Sequence, residues 1–322
     1  MHTRAFGRTG LQVSEVGYGL WGMGGWTGSD DAESLKALHR SVELGCTFFD
    51  TALAYGNGKS EQLLGQVLPS HRDRKLVVAT KIPPKNGKWP AKPEYALDDV
   101  FPVDWMVECT DTSLRNLGVE QIDVQQLHVW TDEWAELDEW IDGLDQLKKS
   151  GKIRAFGISI NRWDPTNVVE ALRTGLIDSV QVVHNIFDQH PEDHLFPLCQ
   201  EMNIAVIARV PLDEGSLTGT LTKGTTWPEG DFRNNYFPPE RLAEAVDRVE
   251  ALKALVPEGM TLPQMALRFI LSHPAVSTVI PGMRRTANVE ANMAVGDGQG
   301  LPADLVDRLR PHRWDRGYVV EK

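Results

Sequence analysis

No run of residues in this chain is apolar and long enough to cross a bilayer, which argues against a membrane-spanning helix. The amino terminus, Met1 to Gly7, lacks the apolar core of a secretory signal, so export by that route is not expected and a cytoplasmic location is. Cysteine is scarce. Cys46, Cys109 and Cys199 are scattered and unpatterned, which speaks against a disulfide framework and for small buried side chains in a reducing compartment. Positive charge falls short of negative, and a formal charge of −12 works against general nucleic-acid binding, leaving room only for a local basic patch for a small anion. No linker or low-complexity segment divides the 322 residues. A single domain over 1–322 is expected, with 311–322 as a C-terminal tail.

What is present is 41% hydrophobic residues, enough for a sizeable core, in strand-like and helix-like runs that alternate throughout. Strands are expected at Val13 to Gly17, Phe48-Phe49, Leu76 to Lys81, Ile122 to His128, Ile153 to Ser159, Ser179 to Val183, Asn203 to Val210 and Val276 to Gly282. Helical sequence follows or separates them at Ser29 to Leu44, Ser60 to Leu68, Val103 to Leu117, Glu133 to Lys149, Pro165 to Arg173, Asp193 to Glu201, Pro239 to Val256 and Thr261 to Ser272. Eight strands, each followed by helical sequence, favour an α/β fold of the (β/α)8 TIM barrel type, with the first residues as a small hairpin plug across the bottom. The rival is a doubly wound open sheet.

In a barrel, functional groups sit at the carboxyl ends of strands. Asp50, Lys81, His128, Ser159, Gln181, Arg209 and Gly282 all close strands here. Four side chains from that rim and the loop beyond it make a coherent acid for carbonyl reduction. Hydride delivered to a carbonyl carbon leaves charge on oxygen, so a proton donor must stand within hydrogen-bonding reach. Tyr55, in the loop after Asp50, can be that donor, its phenol made more acidic by the Lys81 ammonium. Asp50 would keep Lys81 charged and pointed, and His128 would donate a second hydrogen bond to the carbonyl oxygen.

Competing patterns are weaker. Gly17-Tyr18-Gly19-Leu20-Trp21-Gly22 fits the dinucleotide fingerprint GxGxxG, but a further glycine-rich stretch delays the helix to about Ser29. Tyr55 and Lys59 match the Tyr-x-x-x-Lys pair of short-chain dehydrogenases, yet Gly56-Asn57-Gly58 between them is a poor helix former. His190 and His194 have helical metal-ligand spacing, with Pro191 starting a helix and no third ligand evident, so no metal site is expected. A metal-dependent barrel hydrolase would need a ligand cluster that the sequence does not offer.

The chain resembles the aldo-keto reductase family from about Phe6 to Asn292. The matching stretches are Gly7-Arg8-Thr9-Gly10-Leu11 with Val13-Ser14, Asp50-Thr51-Ala52 to Tyr55-Gly56 with Ser60-Glu61 and Leu64-Gly65, Thr80-Lys81, Gln126-Leu127-His128, and Gly157-Ile158-Ser159. They continue with Gln181 and Asn185, Pro211-Leu212 with Leu217-Thr218-Gly219, and Ile280-Pro281-Gly282 with Arg284 and Asn292. The resemblance implies a (β/α)8 barrel that binds NADPH without a Rossmann domain and reduces aldehydes and ketones. It makes Tyr55 the proton donor and completes a tetrad with Asp50, Lys81 and His128.

By the same resemblance Ser159 and Gln181 hold the nicotinamide carboxamide, and the loop from Arg209 to Thr218, with Pro211, Leu212, Gly215 and Leu217, runs along the pyrophosphate. Gly19, Leu20, Trp21, Asp50 and Gly282 add cofactor contacts, while Arg284, Asn288 and Asn292 stand at the adenosine end. Two adjacent arginines, Arg284 and Arg285, open a helix there and favour a 2′-phosphate, hence NADPH over NADH. Three positions depart from the family pattern. Asn161 follows Ser159 one place late, Asn288 stands where Gln or Arg is more usual, and Arg209 replaces an aromatic platform under the nicotinamide, where a guanidinium plane could stack instead.

A small carbonyl compound is the expected partner, with no nucleic acid and no membrane, and the sequence does not fix the oligomeric state. Trp21 and Trp130, with Tyr55 and His128, are expected to bind substrate, and Trp89 and Trp227 suggest further aromatic walls or loop anchors. The long segments Ile82 to Pro102 and Pro211 to Pro238 read as lids or specificity loops. The tail carries Trp314 and Tyr318 and reaches back over the pocket or lies elsewhere. Some members of the family are cofactor-bearing subunits of potassium channels, so a regulatory subunit is the alternative reading.

Overall fold

The computed structural model describes residues 1–25 and 28–317. Its strands are β1 (Thr3–Ala5), β2 (Gln12–Ser14), β3 (Tyr18–Gly19), β4 (Phe48–Asp50), β5 (Val77–Ile82), β6 (Ile122–Leu127), β7 (Ile153–Ser159), β8 (Ser179–Val183), β9 (Ala205–Arg209) and β10 (Val276–Val279). The helices are α1 (Asp31–Glu43), α2 (Lys59–Val67), α3 (Leu97–Val100), α4 (Val103–Leu117), α5 (Asp138–Lys149), α6 (Val169–Arg173), α7 (Leu195–Glu201), α8 (Arg233–Tyr236), α9 (Pro239–Lys253), α10 (Leu262–Leu271), α11 (Thr286–Met293) and α12 (Ala303–Leu309).

β3 to β10 lie side by side in chain order, all parallel. Two isolated parallel bridges, Val16↔Val279 and Gly19↔Gly282, bring the last strand round to the first. The result is an eight-stranded barrel wrapped by helices. Capping marks several helix ends as their sequences suggest: Asp30 accepts from the Glu33 amide at the start of α1, Thr261 and Gln264 form a reciprocal box at α10, and Gly118 ends α4 in the left-handed conformation.

The period-2 alternation of strand side chains sorts the barrel into two layers. Phe48, Val77, Ala79, Val124, Ala155, Ala205 and Ile207 point inward and form one apolar cluster with Phe6, Leu11 and Val13 from the amino-terminal hairpin, β1 against β2. The hairpin therefore plugs the bottom of the barrel, with the Phe6 and Phe48 rings 5.4 Å apart. Two residues further along the same strands, the inward positions become Asp50, Lys81, Gln126, Gly157, Gln181 and Arg209. The fold thus places an apolar plug below and a polar ring above. Gly157 is required where it stands, because a Cβ there would come within 2.2 Å of Ser179 Oγ on the adjoining strand.

Three expectations need correction. The first barrel strand is Tyr18–Gly19, since Gln12–Ser14 pairs with Thr3–Ala5 in the hairpin. The helix expected from Glu133 begins at Asp138, because Trp134 is pinned by its indole N–H to the Tyr95 carbonyl and sits in a short 3-10 turn. Pro165 to Arg173 is helical only from Val169. Of the two courses open to the tail, its described part, 311–317, takes the second: Trp314 packs edge-on to Phe187, 5.7 Å between ring centres, and Arg316 is buried behind the loop that follows β9. Tyr318 lies outside the described residues.

Candidate active site

Lys81 is wholly buried, and its ammonium uses all three donors: to Asp50 Oδ2 at 2.7 Å, the Thr51 carbonyl at 2.7 Å and Tyr55 Oη at 3.3 Å. Asp50 and Lys81 come from adjoining strands, β4 and β5, and the loop turns Tyr55 back over them. Burial by itself would drive the ammonium to lose its proton, but Asp50 and Tyr55 outweigh it and hold the Lys81 pKa above its ordinary value. Asp50 is fixed from its other side by Gln181 Nε2, which donates to Oδ1 at 2.7 Å, and by Gln126 Nε2 at 3.4 Å. Gln126 went unassigned in the sequence, although its place two residues before His128 on an inward strand face was legible.

The phenol departs from expectation. Burial raises the Tyr55 pKa, Lys81 opposes the rise and Asp50 adds to it, so the hydroxyl sits above the ordinary phenol value in the resting site. The ammonium limits the rise without reversing it. His128 follows β6, with its ring set edge-to-face against Tyr55 at 5.6 Å and Trp89 at 4.6 Å. Burial, then Lys81 and Arg209, lower its pKa well below 6.5, so the imidazole is neutral at physiological pH. Its Nδ1 has no hydrogen-bond partner among the described residues.

These groups face a trough of about 1780 Å³, larger than the roughly 300–1,000 Å³ of ordinary small-molecule sites. Gly19, Trp21, Asp50, Tyr55, His128, Gln181, Arg209, Pro211, Leu212, Gly215, Gly282, Arg284, Asn288 and Asn292 all line it. A side chamber of about 240 Å³ is lined by Tyr55, Trp89, His128, Trp130, Ser159, Asn161 and Arg209. Leu20 and Leu217 are the exceptions, since both side chains are completely buried in the apolar core. Trp130 is 1% exposed and packs edge-on to Trp134 and Trp140, so it anchors its loop and offers the chamber only an edge. Trp227 stacks on Phe237 and is likewise an anchor. Among the described residues Trp21 and Trp89 are the exposed aromatics at the rim, and Trp21 meets Phe232 edge-on at 5.0 Å.

Arg209 ends β9 and donates to the Ile160 carbonyl at 2.9 Å, while its buried Nε has no partner. The loop beyond it is held in an unusual shape: Val210, Asp213 and Glu214 have φ of 54°, 46° and 54°. Behind this loop lies a charge cluster that the sequence did not signal. Arg162 pairs with Asp188 and Asp213 at 2.9 Å each and with Glu214 at 3.5 Å. Arg316 from the tail pairs with Asp188 at 3.0 Å and also with Asp213, which accepts in addition from the Tyr236 hydroxyl at 2.9 Å. His190 pairs with Asp315 of the tail at 2.7 Å, and among the described residues no group of three metal-ligating side chains converges.

The trough suits a dinucleotide. Gly215 and Gly282 turn bare backbone toward open space, where a Cβ would meet nothing within 4 Å, and Arg284 and Arg285 supply cations at the far end. Among the described residues no helix is long and apolar enough to cross a membrane.

Residues 15–313 match the Aldo/keto reductase family. Aldo-keto reductase YhdN of Bacillus subtilis (strain 168) is 30% identical over 295 residues, 88% of this chain and 85% of that protein. An NADH-specific methylglyoxal reductase of Escherichia coli (strain K12) is 29% identical over 301 residues, 89% of this chain and 91% of that protein. Among solved structures, the holo form of aldo-keto reductase AKR11C1 from Bacillus halodurans aligns with a TM-score of 0.78 at 30% identity, covering 99% of this chain and 98% of that one.

Proposed function

Because this chain belongs to the Aldo/keto reductase family and is an oxidoreductase of that type, we propose that it reduces aldehydes or ketones to alcohols at Tyr55, with NADPH as cofactor. The observation that carries this reading is the Lys81 ammonium bonded at once to Asp50 and to the Tyr55 hydroxyl, at the foot of the trough. A nicotinamide held in the trough would supply the hydride. Tyr55 Oη gives its proton to the substrate oxygen as charge develops there, and Lys81 stabilises the phenolate left behind. Burial keeps the phenol protonated between turnovers, so the proton is present when the oxygen needs it. Neutral His128 donates a second hydrogen bond to the same oxygen and orients the carbonyl.

Ser159 and Gln181 would hold the carboxamide, Gln181 exchanging its bond to Asp50 for one to the cofactor, and the backbone of the loop from Pro211 to Leu217 would follow the pyrophosphate. The Arg209 guanidinium plane takes the place of an aromatic platform. One relative is NADH-specific, so the preference for NADPH rests on this chain's own Arg284 and Arg285.

The test is NADPH oxidation against a panel of aldehydes, with dinucleotide binding followed by tryptophan fluorescence. Tyr55→Phe should lower turnover by about 10²–10⁴ while leaving NADPH affinity unchanged. Arg209→Ala should weaken NADPH binding by about tenfold. Undiminished turnover in Tyr55→Phe would remove the proton-donor assignment, and unchanged binding and turnover in Arg209→Ala would remove the stacking role.

A further inference from the structure

The far end of the trough contains an anion of the protein's own. Glu33, in the first turn of α1, reaches across to the start of α11, where its carboxylate accepts from the Thr286 amide at 3.2 Å and the Thr286 hydroxyl at 3.3 Å. The residue lines the same trough as Arg284 and Arg285. α11 has no side-chain cap of its own, since Arg285 at its N-cap position makes no capping bond, so the carboxylate takes the place that an incoming anion would take. Its role is not needed merely to hold the two helices together. Arg40 of α1 and Glu290 of α11 already join them through a separate ion pair at 2.9 Å.

Two demands meet at this end. The arginines favour a 2′-phosphate. A carboxylate on the helix start repels that phosphate and occupies the amide it would use, whereas a ribose bearing free hydroxyls can donate to a carboxylate. We propose that Glu33 is a specificity-determining residue that holds down affinity for 2′-phosphorylated dinucleotides and so keeps NADH usable beside NADPH. The proposal rests on the cofactor reading above and limits the preference that Arg284 and Arg285 create.

The test uses the full chain as wild type, Glu33→Gln and Glu33→Ala, titrated separately with NADPH and NADH by tryptophan fluorescence, with thermal melts alongside. Gln keeps an acceptor oxygen for Thr286 and removes the charge. Glu33→Gln should tighten NADPH binding by about tenfold and change NADH binding by less than about twofold, and raising ionic strength should narrow the difference between the two proteins. Glu33→Ala should also favour NADPH over NADH relative to wild type, whatever it loses in melting temperature with the cap. Equal shifts for both dinucleotides would make Glu33 a helix cap and nothing more, and weaker NADPH binding in Glu33→Gln would overturn the proposal outright. Binding of neither dinucleotide by the wild type would defeat the cofactor reading itself, and this inference with it.

Discussion

The barrel mouth holds two groups of buried charge, and they do opposite things. Around Lys81 one ammonium faces one carboxylate, the Thr51 carbonyl and a neutral phenol, and the phenol is the loosest partner, at 3.3 Å, and faces the trough. Around Arg162 and Arg316 two guanidinium groups clasp Asp188 and Asp213, and both carboxylates are wholly buried and shared by both arginines. The first group keeps a transferable proton beside open space. The second spends its two central carboxylates on shared ion pairs and joins the loops after β7, β8 and β9 to the tail. Burial and displaced titration therefore do not by themselves mark a reactive centre. What separates the two is a phenol that shares its proton with a buried ammonium beside open space, as Tyr55 does with Lys81.

Removing the cation from each group sharpens the contrast. Lys81→Met should strand Asp50 in the interior, lowering stability by about 3–5 kcal/mol and turnover by more than about 10³, as seen in melting curves and single-turnover rates. Arg316→Met should lower stability by a comparable amount, about 3–5 kcal/mol, yet leave the hydride-transfer step nearly intact and speed cofactor release by about tenfold. If Arg316→Met stopped the chemical step with the cofactor bound, the division of labour would be wrong.

The smallest effect concerns pH. Burial pushes the Glu214 carboxyl up to about 7, with Arg162 opposing the rise. A folded pKa raised from 4.5 means that the native state binds the extra proton, so the contribution to stability is full below pH 4.5 and is lost as pH rises toward 7. Glu214→Gln, which never ionises, should therefore gain melting temperature relative to wild type between pH 5 and pH 8, by about 1–3 kcal/mol in equivalent stability. A constant difference across that range would show that Glu214 is not buried in this way.

Much of this was legible before any coordinates. Asp50, Lys81, Gln181 and Arg209 close apolar strands on the inward phase of a period-2 pattern, and local alternation is a signal a sequence carries well. The hairpin plug was legible for the same reason. Partnerships across long separations were not: nothing near Arg162 or Arg316 announces that they share Asp188 and Asp213, and nothing near Glu33 announces Thr286. Helix boundaries failed where tertiary contacts override propensity, as at Trp134, and the first barrel strand was hidden because Tyr18–Gly19 is only two residues long and follows directly on the strand-like Val13 to Gly17. The net acidity of Tyr55 also depends on burial, which spacing alone does not reveal.

The ring is not sewn with equal density all the way round. Between β6 and β7 five residue pairs run in register, whereas the join from the first barrel strand to the last rests on two bridged pairs and three backbone hydrogen bonds, from Gly17 to Val279, Gly19 to Pro281 and Val279 to Glu15. Such a cylinder resembles a split collar, stiff through its middle and able to spring at one edge. That edge lies beside Gly19 and Gly282 and opens onto the trough, so a long, jointed molecule laid there would rest against a part of the wall held by few rungs.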